Sequence, residues 1–132
     1  MRSVEINIHT ADRRFFDLTS ECNTFVDEDH DGLLNVFVPH ATAGLALIET
    51  NSGSEDDLEE VLGRLLPRDG RWTHRHGSVG HGADHVLPAF LSPSLSVPVI
   101  GGRLALGRWQ SVVLVDLNLD NPDRKVRLSF LG

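Results

Sequence analysis

The stretch SVVLVDLNLDNPDRKVRLSFL, residues 111–131, decides the fold class of this 132-residue chain. Each end of the stretch is a run rich in valine and leucine, which is typical of a β-strand. The asparagine, aspartate and proline residues between the two runs are typical of a turn. The pattern predicts two strands at the end of the chain, joined by a hairpin connection over residues 118–125.

The rest of the chain adds further strands and two helices. Alternating or continuous short apolar runs predict strands near residues 3–10, 33–40, 44–50, 94–99 and 103–106. Apolar residues at helical spacing predict one helix over residues 14–28 and another over residues 52–67. We therefore expect one α+β domain spanning residues 1–132, with about seven largely antiparallel strands and two helices.

Composition argues against several classes of function. The formal net charge of −7 opposes binding to nucleic acid, because neutralising phosphates requires clustered Lys and Arg. Cys22 is the only cysteine, so no intrachain disulfide can form, and its apolar neighbours at helical spacing predict a buried thiol. No apolar run approaches the roughly 18 residues of a membrane helix. We expect a cytoplasmic protein that binds neither nucleic acid nor membranes.

Four of the seven histidines fall within WTHRHGSVGHGADH, residues 72–85. His74 and His85 lie near its two ends, and the glycines between them allow the segment to turn back on itself. With His40, which ends a predicted strand, they would supply the three imidazoles of an open Zn²⁺ site. Imidazole also suits nickel, copper and iron. A solvated loop with incidental histidines explains the same composition, so both interpretations stay open.

Other polar residues are candidates for catalysis or binding. Glu49 lies at the end of a predicted strand and is either a general base or an exposed carboxylate. Gln110 is a candidate pocket residue, whereas Trp109 beside it is interpreted as part of the core. Small groups of basic residues could hold one phosphate, and the candidates are Arg103, Arg108 and Arg124.

Several motifs occur in an order that resembles a known family. They are HATAGLALIE at residues 40–49, ADH ending at His85, SPSLSVPVIGGRLALGRWQ at residues 92–110 and a closing basic-apolar strand. Together they resemble the YjbQ-like family of small uncharacterised proteins, often labelled secondary thiamine-phosphate synthase. The resemblance covers nearly the whole chain and is most specific from His40 to Gln110.

This resemblance implies an α+β fold built on antiparallel sheet and assembled as a homotrimer. It also implies a cavity at subunit boundaries that contains a divalent metal, with Zn²⁺ the expected ion. The histidine positions of the family fall on His40, His74 and His85. Its acidic position falls on Glu49, and its Trp-Gln pair ends at Gln110. Because His76 and His81 match no family histidine, we interpret both as bystanders on the connecting loop.

The activity that the resemblance implies joins a pyrimidine pyrophosphate to a thiazole phosphate. The chain departs from the family pattern at Ala41, Leu87 and Arg108, and the loss of the family's lysine at Leu87 weakens the assignment of a phosphate substrate. We expect a metal-dependent enzyme acting on a phosphorylated small molecule, in which Glu49 assists proton transfer and Gln110 orients the substrate. The expected substrate contacts are Thr42, Arg103, Arg108 and Arg124. The alternatives are a non-enzymatic trimer that binds a metal or small ligand, and a structural trimer with incidental histidines.

Overall fold

The computed structural model describes residues 1–10, 13–26 and 29–132 of the chain. The described residues form eight strands and three α-helices, and a 3-10 turn at Leu87–Ala89 follows the last of these helices. The elements are β1 (Arg2–His9), β2 (Phe15–Asp17), α1 (Thr19–Phe25), β3 (Gly32–Phe37), β4 (Gly44–Ile48), α2 (Ser54–Leu65), α3 (His81–Val86), β5 (Ser94–Ile100), β6 (Arg103–Leu104), β7 (Ser111–Val115) and β8 (Asp123–Leu131).

The strands form two antiparallel sheets. The larger sheet has the order β1-β8-β3-β5-β6, and the smaller has the order β2-β7-β4. All the strand pairs of the described residues are antiparallel, for example Val4 opposite Leu128 and Leu45 opposite Leu114. The α+β class and the antiparallel character predicted from the sequence are therefore confirmed.

The predicted hairpin between the last two strands is wrong, because β7 and β8 belong to different sheets. Residues 116–122 carry the chain from the smaller sheet to the larger one. A buried ion pair spans this connection, in which Nε and Nη2 of Arg124 in β8 donate to the Asp116 carboxylate at 2.7 and 2.9 Å. Turn-forming residues show where a strand ends, but they do not show which sheet receives the next strand.

The structure agrees with one of the two predicted helices and only in part with the other. The second is confirmed as α2, although Val61 and Leu65 of its apolar stripe remain 52% and 48% exposed. The first is correct only in part, because Phe15–Asp17 pairs with β7 as a strand and the helix occupies Thr19–Phe25. The Asp17 carboxylate accepts a hydrogen bond from the backbone nitrogen of Thr19 at this junction. Residues 27–28 of the predicted helix lie outside the described residues.

The strand β7 lies at the centre of the packing and is buried on both faces. Val112 and Leu114 belong to the apolar cluster between the two sheets, which also contains α1 residues. Val113 and Val115 face the other way and pack with residues of α2 and α3. This three-layer arrangement explains why β7 is continuously apolar rather than alternating. It also places α3, which carries His81 and His85, against the back of the smaller sheet. No helix within the described ranges is long and apolar enough to span a membrane.

The buried Cys22 generates a test of the core. Its side chain is fully buried in α1, and burial raises the pKa of the thiol to about 12. Because the thiolate is the reactive form, we expect native protein to resist thiol reagents at neutral pH and to react after unfolding in denaturant. Labelling followed by mass spectrometry measures this. Rapid modification of the native protein would contradict the packing of α1.

Candidate metal centre

Four imidazole rings come together in front of α3. His81 and His85 are four residues apart in α3 and therefore share one face of the helix. Their Nε2 atoms are 2.9 Å apart. His74 approaches from the preceding segment, and its ring centroid lies 4.1 Å from that of His85. Ring nitrogens of these three residues all lie within 4.8 Å of one another. His76 packs on His74 with ring centroids 3.9 Å apart.

Two glycines permit this close packing. A Cβ atom at Gly82 would lie 2.5 Å from the Cβ atom of Trp72 and 2.6 Å from the carbonyl oxygen of His74. Gly77 has a φ of 81°, and a Cβ atom there would lie 2.8 Å from Cγ of His81. Side chains at either position would therefore push residues 72–77 away from α3. The glycines allow the segment that carries His74 to lie directly on the helix.

Asp120 fixes the orientation of His81. Its Oδ2 atom is 2.7 Å from Nδ1 of His81 and also accepts hydrogen bonds from the backbone nitrogen and hydroxyl of Ser78. The backbone hydrogen bond from Ser78 is the main cause that lowers the pKa of Asp120, so this carboxyl stays ionised. A histidine held by a carboxylate through one nitrogen presents the other to a metal ion. Nε2 of His81 points towards His85 in this way.

A buried polar network supports α3 from behind. Asp84 is 2% exposed, forms an ion pair with Arg68 and accepts a 3.0 Å hydrogen bond from Nδ2 of Asn118. Nδ2 of Asn118 also lies 3.2 Å from Nδ1 of His81. The backbone nitrogen of Asn118 in turn donates to Asp116. These contacts fix α3 relative to residues 116–120, so the rings of His81 and His85 are held by the fold rather than by the loop alone.

The surroundings of His74 and His85 favour their neutral imidazole forms. Burial is the main cause that lowers the pKa values of His74 and His85 below the ordinary 6.5, and the neighbouring histidine rings add to this effect. A neutral imidazole has the lone pair that a metal ligand needs. The arrangement can therefore hold a divalent cation with three nitrogen donors near neutral pH.

Comparisons with known proteins identify the relatives of this chain. The family model of the UPF0047 protein YjbQ-like family matches residues 4–132. The chain belongs to this family. It is 62% identical over 126 residues to a UPF0047 protein of Mycobacterium bovis, covering 96% of this chain and 98% of the relative. It is 32% identical to a UPF0047 protein of Methanothermobacter thermautotrophicus, covering 97% and 90% of the two chains.

Solved structures of family members share the fold. A hypothetical protein from Aeropyrum pernix superposes with a TM-score of 0.86 at 32% identity, covering 100% of this chain and 99% of the other. A protein of unknown function from Sulfolobus solfataricus gives a TM-score of 0.89 at 25% identity, covering 99% and 96%. The predicted family is therefore confirmed, and these names assign it no activity.

The structure separates the three histidines predicted as metal ligands. His74 and His85 belong to the cluster, but His40 does not, because the third converging imidazole is His81. Nε2 of His40 accepts a 2.9 Å hydrogen bond from the backbone nitrogen of Lys125. Burial, followed by the charge of Arg124, lowers the pKa of His40. Metal binding by His40, the residue that the family resemblance favours, stays a prediction.

The predicted substrate contacts Thr42 and Arg124 touch each other. Nη2 of Arg124 donates to the hydroxyl of Thr42 at 2.8 Å, and the guanidinium also binds Asp116. The Arg124 side chain is only 1% exposed. Both residues therefore lie inside the polar network beneath the site, and direct substrate contact by either one stays a prediction.

The remaining candidates lie on other parts of the chain. Glu49 follows β4 and is half-buried. The side-chain oxygen of Gln110 accepts a hydrogen bond from the backbone nitrogen of Gly107 and so closes its own turn. The guanidinium of Arg108 lies 4.7 Å from the ring of Trp109. The interpretation of Trp109 as a core residue is wrong, because it is 63% exposed.

Arg103 lies beside a separate cavity. The cavity has a volume of about 720 Å³, and its lining also includes Asn23, Gly101 and Leu104. None of the three histidines of the cluster lines it. Substrate roles for Arg103, Arg108, Glu49 and Gln110 stay predictions.

His81 is the main residue that the sequence interpretation missed. The four-residue spacing between His81 and His85 is the signal that indicates two imidazoles on one helical face, and Gly80 before it is typical of a helix start. No comparable signal marks Asp120 or Asn118, because their contacts with α3 span 39 and 34 residues of sequence.

The close approach at Gly82 predicts a large effect of one methyl group. We expect Gly82→Ala to lower the free energy of unfolding by about 1–3 kcal/mol, because the added Cβ overlaps Trp72 and the His74 backbone. Gly63→Ala is the matched control, since nothing lies within 4 Å of a Cβ there. We expect it to stabilise the exposed interior of α2 by up to about 1 kcal/mol. Urea denaturation measures both. Equal effects of the two substitutions would contradict the packing described.

The lowered pKa values predict a pH dependence of the metal-free protein. Near pH 6.5 the unfolded chain binds protons at His74 and His85 more readily than the folded chain does. Their contribution to stability is therefore fully present above about pH 6.5 and is lost as the pH falls through the lower folded values. Denaturation midpoints measured in chelator across this range should decrease with acid. The decrease should be smaller in a His74→Gln, His85→Gln double variant, and an identical decrease would contradict the assignment.

Proposed function

We propose that this protein binds a divalent metal ion through His74, His81 and His85 and uses it on a phosphorylated small molecule. The convergence of three ring nitrogens within 4.8 Å is the observation that carries the proposal. Three histidine ligands with room for a further group are the pattern of catalytic rather than structural zinc sites. When bound, the ion would polarise an oxygen of the substrate as a Lewis acid.

The residues present fit such an ion. Asp120 accepts from Nδ1 of His81, which leaves Nε2 as the lone pair that faces His85. Two imidazole nitrogens only 2.9 Å apart form a hydrogen bond if one carries a proton, and the same spacing suits them to share a cation. Nitrogen donors alone suit zinc, nickel, copper or iron, and Zn²⁺ is the ion we propose.

A small cavity next to the cluster supports a small-molecule ligand. Its volume is about 290 Å³, and Trp72, His74, Arg75 and Ser78 contribute to its lining. Nε of Arg75 donates to the carbonyl oxygen of Trp72, so the end of this guanidinium remains available to an anion. A cation next to a metal centre is the arrangement that binds phosphate oxygens. The resemblance to the YjbQ-like family suggests the specific form of the reaction, which is thiamine-phosphate synthesis.

The homotrimer, the role of His40 and the cytoplasmic location remain proposals drawn from the resemblance and the composition. His40 does not belong to the converging group within one chain. It would reach the metal only by rearrangement or as part of a second copy of the chain. Glu49 is proposed to assist proton transfer and Gln110 to orient the substrate on the same basis.

The alternative function is that of a non-enzymatic metal-binding protein. The proximity of His76 to His74 favours this alternative, because a fourth nitrogen ligand would close the coordination sphere as in structural sites. The two functions share the metal and differ in whether a substrate can reach it.

Metal content tests the shared part of the proposal. We expect purified protein loaded with Zn²⁺ and desalted to retain about one ion per chain. His81→Ala and His85→Ala should lose most of it because each removes one of three donors. His9→Ala is the control, since the ring of His9 is bound to Asp123 on an exposed strand. Elemental analysis by mass spectrometry gives the ratio. Retention of the ion by His81→Ala would exclude the cluster as the site.

Turnover distinguishes the enzyme from the metal-binding protein. The pyrimidine pyrophosphate and the thiazole phosphate are incubated with metal-loaded protein, and pyrophosphate release is followed. Release that disappears in His85→Ala and persists in His9→Ala supports catalysis at the cluster. Metal binding without release supports the alternative.

A further inference from the structure

His76 supplies a fourth imidazole beside the three proposed ligands. Its ring centroid lies 3.9 Å from that of His74, 5.0 Å from that of His81 and 6.1 Å from that of His85. The same three rings are separated from each other by 4.1, 4.7 and 5.4 Å. The four imidazoles therefore surround one point rather than forming a row.

These separations match the requirement of a single tetrahedral ion. Metal–nitrogen distances of about 2.0–2.1 Å place the centroids of four imidazole ligands roughly 5 Å apart. The six observed separations range from 3.9 to 6.1 Å and so lie on both sides of this value. His76 is not among the residues whose nitrogens already converge, so a change in its side-chain rotamer has to bring one inward.

His76 is free to make this rotation. It is exposed and forms no hydrogen bond with other residues that the structure describes. By contrast, Asp120 holds His81 and the Lys125 backbone holds His40. Gly77 follows His76 in a left-handed conformation, so the chain turns next to it without a side chain in the way. The site therefore combines ligands on α3 that are held in place with one ligand, on the adjacent segment, that can change its rotamer.

We propose that His76 is the fourth, displaceable ligand of the metal. It closes the site when no substrate is present and gives up its position to an incoming anionic ligand. This inference rests on the proposed metal centre. It also explains how one site can serve both proposed functions. With His76 bound the metal has four protein ligands, and with His76 displaced it has a position for substrate. Access to the metal is regulated by the exchange of one imidazole for one substrate group.

Cobalt substitution tests the fourth ligand directly. The visible absorption of bound Co²⁺ depends on the number and type of its ligands. We expect the wild-type protein to show a spectrum of four nitrogen donors that changes only at high thiocyanate concentration, because the anion has to displace His76. His76→Ala should still bind one Co²⁺ per chain, with an affinity lower by at least about tenfold. Losing a hydrogen-bond partner of a ligand already costs about that much, and losing a ligand should cost no less. Its spectrum should respond strongly to thiocyanate, and free imidazole should restore the wild-type spectrum.

Control variants separate the possible failures. His9→Ala should keep the wild-type spectrum and affinity, and His76→Gln should behave as His76→Ala does. If wild type and His76→Ala show the same spectrum, affinity and response to thiocyanate, His76 is not a ligand and only this inference fails. If the wild-type protein binds no Co²⁺, or binds it equally well in His81→Ala, the metal centre fails and the inference fails with it.

Discussion

The buried ion pair between Asp116 and Arg124 is the interaction on which the rest of the structure depends. Asp116 directly follows β7 of the smaller sheet and Arg124 is the second residue of β8 in the larger one, so the pair joins the two sheets. Both side chains are 1% exposed, and removing one partner of such a pair costs about 3–5 kcal/mol. Asp116 also holds Asn118, which binds Asp84 of α3. The position of the histidine helix therefore follows from this contact.

The fold class could be predicted from the sequence because it depends on local patterns. Alternation in β1 and the helical stripe in α2 are visible within about ten residues. The connection after β7 could not be predicted, because the ion pair between Asp116 and Arg124 produces no periodic pattern in the sequence. Residues 14–18 show the same limit. Phe15 fits a helical stripe, but pairing with β7 makes it part of a strand.

The sequence could show which segment holds the candidate site, but not which residues of the chain come together there. The composition of residues 72–85 indicates the right segment, and His74 and His85 do lie together. The family pattern does not include His81, although its spacing from His85 indicates a shared helical face. The sequence does not indicate Asp120, because residues that hydrogen-bond a metal ligand come from distant segments and have no fixed spacing. Residue type therefore predicted the chemistry, and tertiary contacts decided which residues share it.

The histidine segment combines local donors with distant supports. All four rings come from positions 74–85, so gathering them requires closing only short loops, which has a small entropic cost. The orientation of the His81 ring instead comes from Asp120 and Asn118, which lie beyond the next three strands of the chain. The candidate ligands thus come from one short segment, whereas the orientation of their rings depends on the fold of the whole domain. The same twelve residues cut out as a peptide would keep the donors and lose the geometry.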